Sequence, residues 1–318
     1  MIKQLWIEPS GFCNLNCSMC GGNPRQKQFT RKTGLLSLKN FKFILNSFLD
    51  LNTDLKKVDF RGTGEPLMNN KLSSMISYCN EKRILTGITT NGSLLTTQKS
   101  VELLKAGLDY LTLSIESVNK KTYEKIRFGT KLENIKGNIE NFIKQKNKIK
   151  PKCQITFNTV LQEMNINQIH NIINYGASIG INAFCLLNLE NEYRKNNLTI
   201  IENEKIYGVS YKRLKQKFNS WKKLADDLKI ELFLPPIKAD FDKNCVFNWS
   251  APIVTCDGYI EPCCRMQEIE YSMGNILKQG LKKIWNNKKY STFRKGRYKF
   301  CKFCLLYLDR FENMRYLR

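Results

Sequence analysis

Twelve cysteines in 318 residues, with one histidine at position 170, set the chemical question this chain poses. Cys13, Cys17 and Cys20 stand in the string CNLNCSMC, a Cys-x3-Cys-x2-Cys spacing. In a reducing compartment such a group is metal or redox chemistry rather than a disulfide framework. A zinc knuckle is one reading, but zinc wants a fourth Cys or His to close its tetrahedron. The only imidazole, His170, falls far along the chain on an expected helix. Three thiolates without a fourth protein ligand suit a [4Fe–4S] cluster with one open iron. A second group follows at the other end: Cys245, Cys256, Cys263-Cys264 and Cys301-x2-Cys304. Its Cys-x2-Cys pair serves zinc or iron–sulfur equally. Cys79, Cys153 and Cys185 fall inside expected helices or strands and read as buried, inert thiols.

These groups need a scaffold, and the hydrophobic pattern supplies one. Strands are expected at 5–8, 58–61, 86–90, 110–115, 154–161 and 183–187. Helices are expected at 37–51, 72–82, 98–106, 132–146 and 167–179. Short connections between strands and helices argue for a parallel sheet with helices outside. Strands that are nearly all apolar suit a sheet covered on both faces. The expected class is α/β, a partial (β/α)6 barrel of the TIM-like type, and a small C-terminal iron–sulfur module follows. Residues 1–205 form the barrel. Residues 206–236 read as a helical linker containing the helix 211–228, and 237–318 as the second module.

Polar motifs then fall at the C-terminal strand ends, where a parallel sheet builds its active site. They are Gly62-Thr63-Gly64-Glu65-Pro66, Thr90-Asn91-Gly92, Leu113-Ser114-Ile115-Glu116 and Arg127-Phe128-Gly129. Singly, each has a plainer reading as a tight turn or a surface carboxylate. In this order, behind Cys13, Cys17 and Cys20, they resemble the radical S-adenosylmethionine (SAM) superfamily. The acid at position 116 is Glu where the family often has Asp, and Met19 stands where an aromatic is commoner. The resemblance implies that Cys13, Cys17 and Cys20 hold a [4Fe–4S] cluster whose open iron binds SAM. It implies that Gly64, Glu65, Asn91, Ser114, Glu116 and Arg127 line the SAM site. It further implies reductive cleavage of SAM to a 5′-deoxyadenosyl radical that removes a substrate hydrogen atom.

The C-terminal block is similar to the SPASM or shorter twitch module of that superfamily. The similarity lies in Cys245-x3-Trp249, Asp257 to Cys264, Gly274-Asn275-Ile276, Ile284-Trp285-Asn286, Arg294 and Cys301-x2-Cys304. It implies one auxiliary [4Fe–4S] cluster on Cys245, Cys263, Cys301 and Cys304, with Cys264 as the alternative to Cys263 and Cys256 as structural. A closed auxiliary cluster serves as electron acceptor or staple. Relatives with one such cluster oxidise a small-molecule alcohol, and peptide-modifying relatives use similar modules. The cysteine loop starts at residue 13 without an N-terminal peptide-recognition segment ahead of it. The expectation is therefore a sugar or aminocyclitol alcohol, with peptide modification as the alternative. A proton acceptor is then wanted near the substrate, and Glu8, Glu190 and Arg127 are candidates by strand-end position.

The formal charge of +24 raises a rival reading, an RNA-binding or RNA-modifying metalloprotein. The lysines are dispersed along several helices and no nucleic-acid motif accompanies them, so a solvated basic exterior is the reading taken. Such an exterior suits an acidic flavodoxin or ferredoxin as electron donor. The N-terminal MIKQLWIEP reads as a strand rather than a signal peptide. No run approaches the roughly 18 apolar residues a membrane span needs. The expectation is a cytoplasmic protein without a membrane partner.

Overall fold

Branched and aromatic runs form parallel strands, and amphipathic stretches between them fold back as helices. The computed structural model describes residues 2–20, 34–51, 54–150, 152–189, 205–206, 208–237, 250–264 and 269–296. The strands are β1 (Gln4–Ile7), β2 (Lys57–Phe60), β3 (Leu85–Thr90), β4 (Tyr110–Ser114), β5 (Gln154–Leu161), β6 (Ala183–Asn188), β7 (Lys205–Ile206), β8 (Val209–Ser210), β9 (Glu231–Phe233), β10 (Ile253–Val254), β11 (Tyr259–Glu261) and β12 (Gly274–Asn275). The helices are α1 (Leu38–Leu51), α2 (Leu72–Glu81), α3 (Thr97–Lys105), α4 (Lys120–Ile126), α5 (Leu132–Ile149), α6 (Ile169–Ser178), α7 (Tyr211–Asp227), α8 (Ile276–Gln279), α9 (Leu281–Trp285) and α10 (Lys288–Gly296).

Ten of the strands make one sheet in the order β12-β11-β10-β1-β2-β3-β4-β5-β6-β9. Pairing is parallel from β10 through β1 to β9, and β10, β11 and β12 pair antiparallel. The six expected β/α units are present as a partial barrel. Helices bury one stripe each: α1 sets Phe41, Ile44, Leu45 and Phe48 inward, with Phe41 against Phe60 at 5.6 Å between ring centres. In β4, Leu111 and Leu113 enter the core while Tyr110, Thr112 and Ser114 alternate to the opposite, half-buried face. That opposite face carries the polar side chains available to a site.

Within the stretch expected as a linker, 206–236, the described residues include one helix and one strand of the large sheet. Helix α7 buries Leu214, Phe218, Trp221 and Ala225 at four-three-four spacing, and β9 adds a parallel strand beside β6. Its apolar stripe needs a surface to cover, and the chain running out of it meets an open sheet edge. The second module is likewise continuous with the first, because β10 pairs with β1 in register Trp6↔Ile253. Helix α4 lay outside the expected elements; Asn119 caps it by accepting from the Thr122 amide at 3.1 Å. Among the described residues no helix is long and apolar enough to cross a membrane. Cys79, Cys153 and Cys185 are buried in the sheet and its helices. Burial pushes the Cys79 thiol up and that of Cys153 to about 12.

Gly176 shows how tightly α6 sits on the sheet. A Cβ there would lie 2.2 Å from Phe184 Cζ, and Phe184 is itself locked edge-on against Phe157 at 5.4 Å. Alanine ordinarily stabilises a helix interior by about 1 kcal/mol over glycine. Here overpacking outweighs that gain, so Gly176→Ala should destabilise the chain by about 1–2 kcal/mol in urea unfolding.

Candidate active site at the strand ends

The three-cysteine loop leaves β1 and is pinned by backbone bonds before any thiol is used. Phe12 carbonyl accepts from the Glu65 amide at 2.7 Å, and the Gly11 amide donates to Gly34 at 2.8 Å. Further along, Asn16 N donates to Phe128 O and Ser18 N to Ile126 O, both at 2.9 Å. Cys17 is buried; Cys13 and Cys20 are half-buried. Burial raises the Cys13 and Cys17 thiols, and the Arg127 guanidinium opposes this at both. Among the described residues no three His, Cys, Asp or Glu side chains converge on one metal ion. A donor set of three thiols, without imidazole or carboxylate, on one exposed-edge loop fits an iron–sulfur cluster, which takes each thiolate on a different iron.

Glu65 is 2% exposed at the end of β2, and its carboxylate is fully engaged. Oε1 accepts from Leu67 N at 3.0 Å and Thr90 Oγ1 at 2.6 Å, and Oε2 from Asn91 N at 2.8 Å. Burial raises this carboxyl, and those three donors pull it back. The Glu65 side chain thus straps the β2 and β3 ends together. Gly64 brings the two loops together: a Cβ there would lie 2.2 Å from Ser10 O and 2.4 Å from Phe12 O. Asn91 faces the cysteine loop. Its Nδ2 donates to Asn14 Oδ1 at 3.1 Å and lies 3.9 Å from Cys13 Sγ.

Glu116, after β4, is fully buried and pairs side by side with Arg127. Arg127 Nε donates to Oε2 at 2.5 Å and Nη2 to Oε1 at 2.7 Å. The remaining nitrogen, Nη1, donates to Cys17 Sγ at 3.6 Å. The pair holds the arginine charged, well above its ordinary value. Glu116 thus serves the cysteine loop through Arg127 rather than presenting a bare carboxylate. Ser114, two residues earlier, stays half-buried on the polar face of the sheet.

Sequence reasoning missed the role of Glu8. It is 1% exposed, and accepts from Thr63 N at 2.9 Å, Thr63 Oγ1 at 2.5 Å and Cys256 N at 3.2 Å. One carboxylate thereby ties the β2 loop to the C-terminal module. No local signal marks this, because the partner amide is 248 positions away. Of the three proton-acceptor candidates, Glu8 and Arg127 are thus already committed to structural bonds. Glu190 lies outside the described residues, as do Cys245, Cys301 and Cys304.

Between β1, β2, β10 and β11 lies a cleft lined by residues that include Glu8, Gly62, Thr63, Glu261 and Cys264. Arg61 lies over the Trp6 ring at 4.0 Å on its wall. The two adjacent cysteines part here. Cys264 lines the cleft, whereas Cys263 is buried in the apolar core near Tyr290, whose hydroxyl is raised mainly by burial. Arg294 stacks on Trp285 and Tyr290 at 4.0 Å each, and its Nη1 donates to Trp285 O at 2.7 Å.

Arg127→Met should leave Glu116 buried without its counter-charge and cost about 3–5 kcal/mol in urea unfolding. The double variant Arg127→Met/Glu116→Leu should recover most of that stability. Iron content after reconstitution should remain low in the double variant, since the Cys17 contact is still missing.

Residues 7–201 match the radical SAM superfamily, and residues 245–305 match the SPASM iron–sulfur cluster-binding domain. A probable GTP 3′,8-cyclase of Methanococcus maripaludis is 28% identical over 284 residues, covering 87% of this chain and 89% of that protein. A tungsten-containing aldehyde ferredoxin oxidoreductase cofactor-modifying protein of Pyrococcus furiosus is 26% identical over 316 residues, covering 92% and 83%. Among solved structures, SuiB of Streptococcus suis bound to its precursor peptide SuiA superposes with a TM-score of 0.73 at 18% identity, covering 96% of this chain and 71% of that one. The first match takes in more than half of the chain, from β1 through β6, and the cofactors it implies are [4Fe–4S] clusters and SAM: the chain belongs to the radical SAM superfamily and carries a C-terminal SPASM domain.

Proposed function

We propose that Cys13, Cys17 and Cys20 hold the catalytic cluster, that SAM lies across the strand ends at Gly64, Asn91 and Ser114, and that a small molecule is oxidised in the adjoining cleft. The observation that carries this is the meeting of the strand-end loops beside the cysteine loop, where Asn91 Nδ2 lies 3.9 Å from Cys13 Sγ and Gly64 packs on Phe12 O. The adjoining cleft joins Gly62 and Thr63 of the SAM-side loop to Cys264, the neighbour of Cys263. Bound in place, cluster and SAM supply one-electron cleavage of a sulfonium bond and a strong hydrogen-atom acceptor.

The protein's part is positioning. Arg127 holds Cys17, Glu65 keeps the Gly62–Glu65 backbone edge beside Asn91, and Glu8 keeps that edge against the C-terminal module. The backbone edge of residues 62–65 and the Oε2 of Glu65, which accepts one bond from Asn91 N, are the groups offered to the SAM amino group. Cys263, buried beside Tyr290 of α10, is taken as the auxiliary ligand, with Cys245, Cys301 and Cys304 completing the set. Cys264 faces the substrate side. A small-molecule substrate is supported by the curated relatives, whose names describe work on GTP and on a tungsten cofactor. The likeness to the peptide-bound structure, at 18% identity, is one of fold.

Anaerobically reconstituted protein should carry about eight irons. It should also release 5′-deoxyadenosine from SAM under dithionite. Replacing Cys13, Cys17 and Cys20 together by Ala should lower that product at least a hundredfold; zinc in place of iron, or product persisting, overturns the assignment. Deuterated sugars, aminocyclitols and nucleotides should transfer label to 5′-deoxyadenosine, whereas label arriving only from peptides would replace the small-molecule reading. Cys263→Ala should remove about four irons and Cys264→Ala none.

A further inference from the structure

The inner face of the sheet carries its side chains in rows, because register sets equivalent residues of neighbouring strands side by side. Trp6, Asp59, Gly87 and Tyr110 make one row. That row is filled. Lys57 Nζ pairs with Asp59 Oδ1 at 3.2 Å and lies 4.5 Å over the Tyr110 ring, and Gln4 Nε2 donates to Asp59 Oδ2. Gly87 brings no side chain, since a Cβ there would lie 2.1 Å from Asp59 Oδ1. Nearer the C-terminal strand ends, Ser114 pairs with Asn158, at the level assigned above to SAM.

Between these two levels runs a row of another character. Phe60 pairs with Ile88, so Arg61 and Thr89 come next to each other; Thr89 pairs with Thr112, and Thr112 with Thr156. At the usual strand spacing, Arg61 to Thr112 covers about 10 Å. Among the described residues the Arg61 guanidinium donates to no acceptor, and the hydroxyls of Thr89, Thr112 and Thr156 make no hydrogen bond. Arg61 is instead held flat on Trp6, 4.0 Å from the ring centre. Stacking fixes the plane of the guanidinium and leaves its N–H donors unspent. Arg61 also lines the cleft described above. The carboxylates of that cleft, Glu8 and Glu261, are 1% and 4% exposed, whereas Arg61 is half-buried. The charge an incoming molecule meets there is the arginine.

We propose that Arg61 holds an oxyanion group of the substrate, phosphoryl or carboxylate, while Thr89, Thr112 and Thr156 meet hydroxyls of the same molecule. The substrate is then a polyol bearing an oxyanion, seated between the filled row and the SAM-bearing strand ends. The inference rests on the radical SAM reading above. A planar guanidinium takes two oxygens of such a group at once, so it fixes orientation as well as charge. Lys57 cannot serve in its place, because it is spent on Asp59. Threonine hydroxyls both donate and accept, which suits a chain of substrate hydroxyls. Held at one end by Arg61, the molecule presents its carbon–hydrogen bonds to the strand ends in a single register.

In the experiment, reconstituted and SAM-loaded protein is titrated in a calorimeter with ribose 5-phosphate, gluconate and ribose. One of the two anionic polyols should bind at least tenfold more tightly than ribose: the phosphate if the group read is phosphoryl, gluconate if it is carboxylate. Arg61→Met should abolish that preference, and Arg61→Lys, which keeps the charge without the planar fork, should retain at least a threefold part of it. Thr89→Val/Thr112→Val should weaken all three polyols at least fivefold and leave the anionic preference in place. Arg213→Met, on the exposed side of α7, should match wild type. Equal binding of ribose and both anionic polyols, a preference that survives in Arg61→Met, unchanged binding by the threonine variant, or an equal loss in Arg213→Met overturns the proposal. Binding is read without turnover. A wild-type protein that releases no 5′-deoxyadenosine under dithionite would therefore defeat the functional reading, while the titrations still decide the role of Arg61.

Discussion

A carboxylate removed from water must be met by donors, or it destabilises whatever fold buries it. Three of the four buried glutamates among the described residues bear this constraint at the strand ends, at 1%, 2% and 0% exposure: Glu8 after β1, Glu65 after β2 and Glu116 after β4. Each draws at least one donor from another part of the chain. Glu8 takes Thr63 and the Cys256 amide, Glu65 takes Leu67, Thr90 and the Asn91 amide, and Glu116 takes two nitrogens of Arg127. The open end of the barrel is thereby laced together from one side to the other.

Loops at the ends of strands are ordinarily the most mobile part of such a fold and also the part that carries function. Lacing resolves that conflict. The cysteine loop is anchored through Phe12 to Glu65 and through Asn16 and Ser18 to the end of α4, so its thiols are placed before anything binds them. The same network ties Glu65 to Asn91 and Glu116 to Arg127.

Charge is organised less than its total of +24 implies. Most lysines lie on the outer faces of amphipathic helices such as α5 and α7, whose inner stripes are Leu, Ile, Phe and Trp. Those lysines keep a solvated surface and stand far from any chemistry in the chain's connectivity. The short α4 differs because its backbone is bonded to the cysteine loop, so its charges share a location with the site.

Much of the fold was legible from local pattern. Alternation and 3.6-residue spacing placed β5 at 154–161 and the start of α5 at Leu132, and the Cys-x3-Cys-x2-Cys loop named its own chemistry. These are properties of neighbours in the chain, readable one window at a time. The apolar stripe of α7 was equally visible, but not that the chain after it would fill the sheet edge beside β6. Nor could the roles of Glu8, Glu65 and Glu116 be read, because a buried carboxylate is defined by its donors. Those donors come from 55, 26 and 11 positions away, and in the case of Cys256 from 248. Residue type and spacing decided which groups could hold a cluster; only folding decided which carboxylates would hold the loops that hold it, since desolvation is settled by the whole surroundings of a side chain and not by its neighbours in sequence.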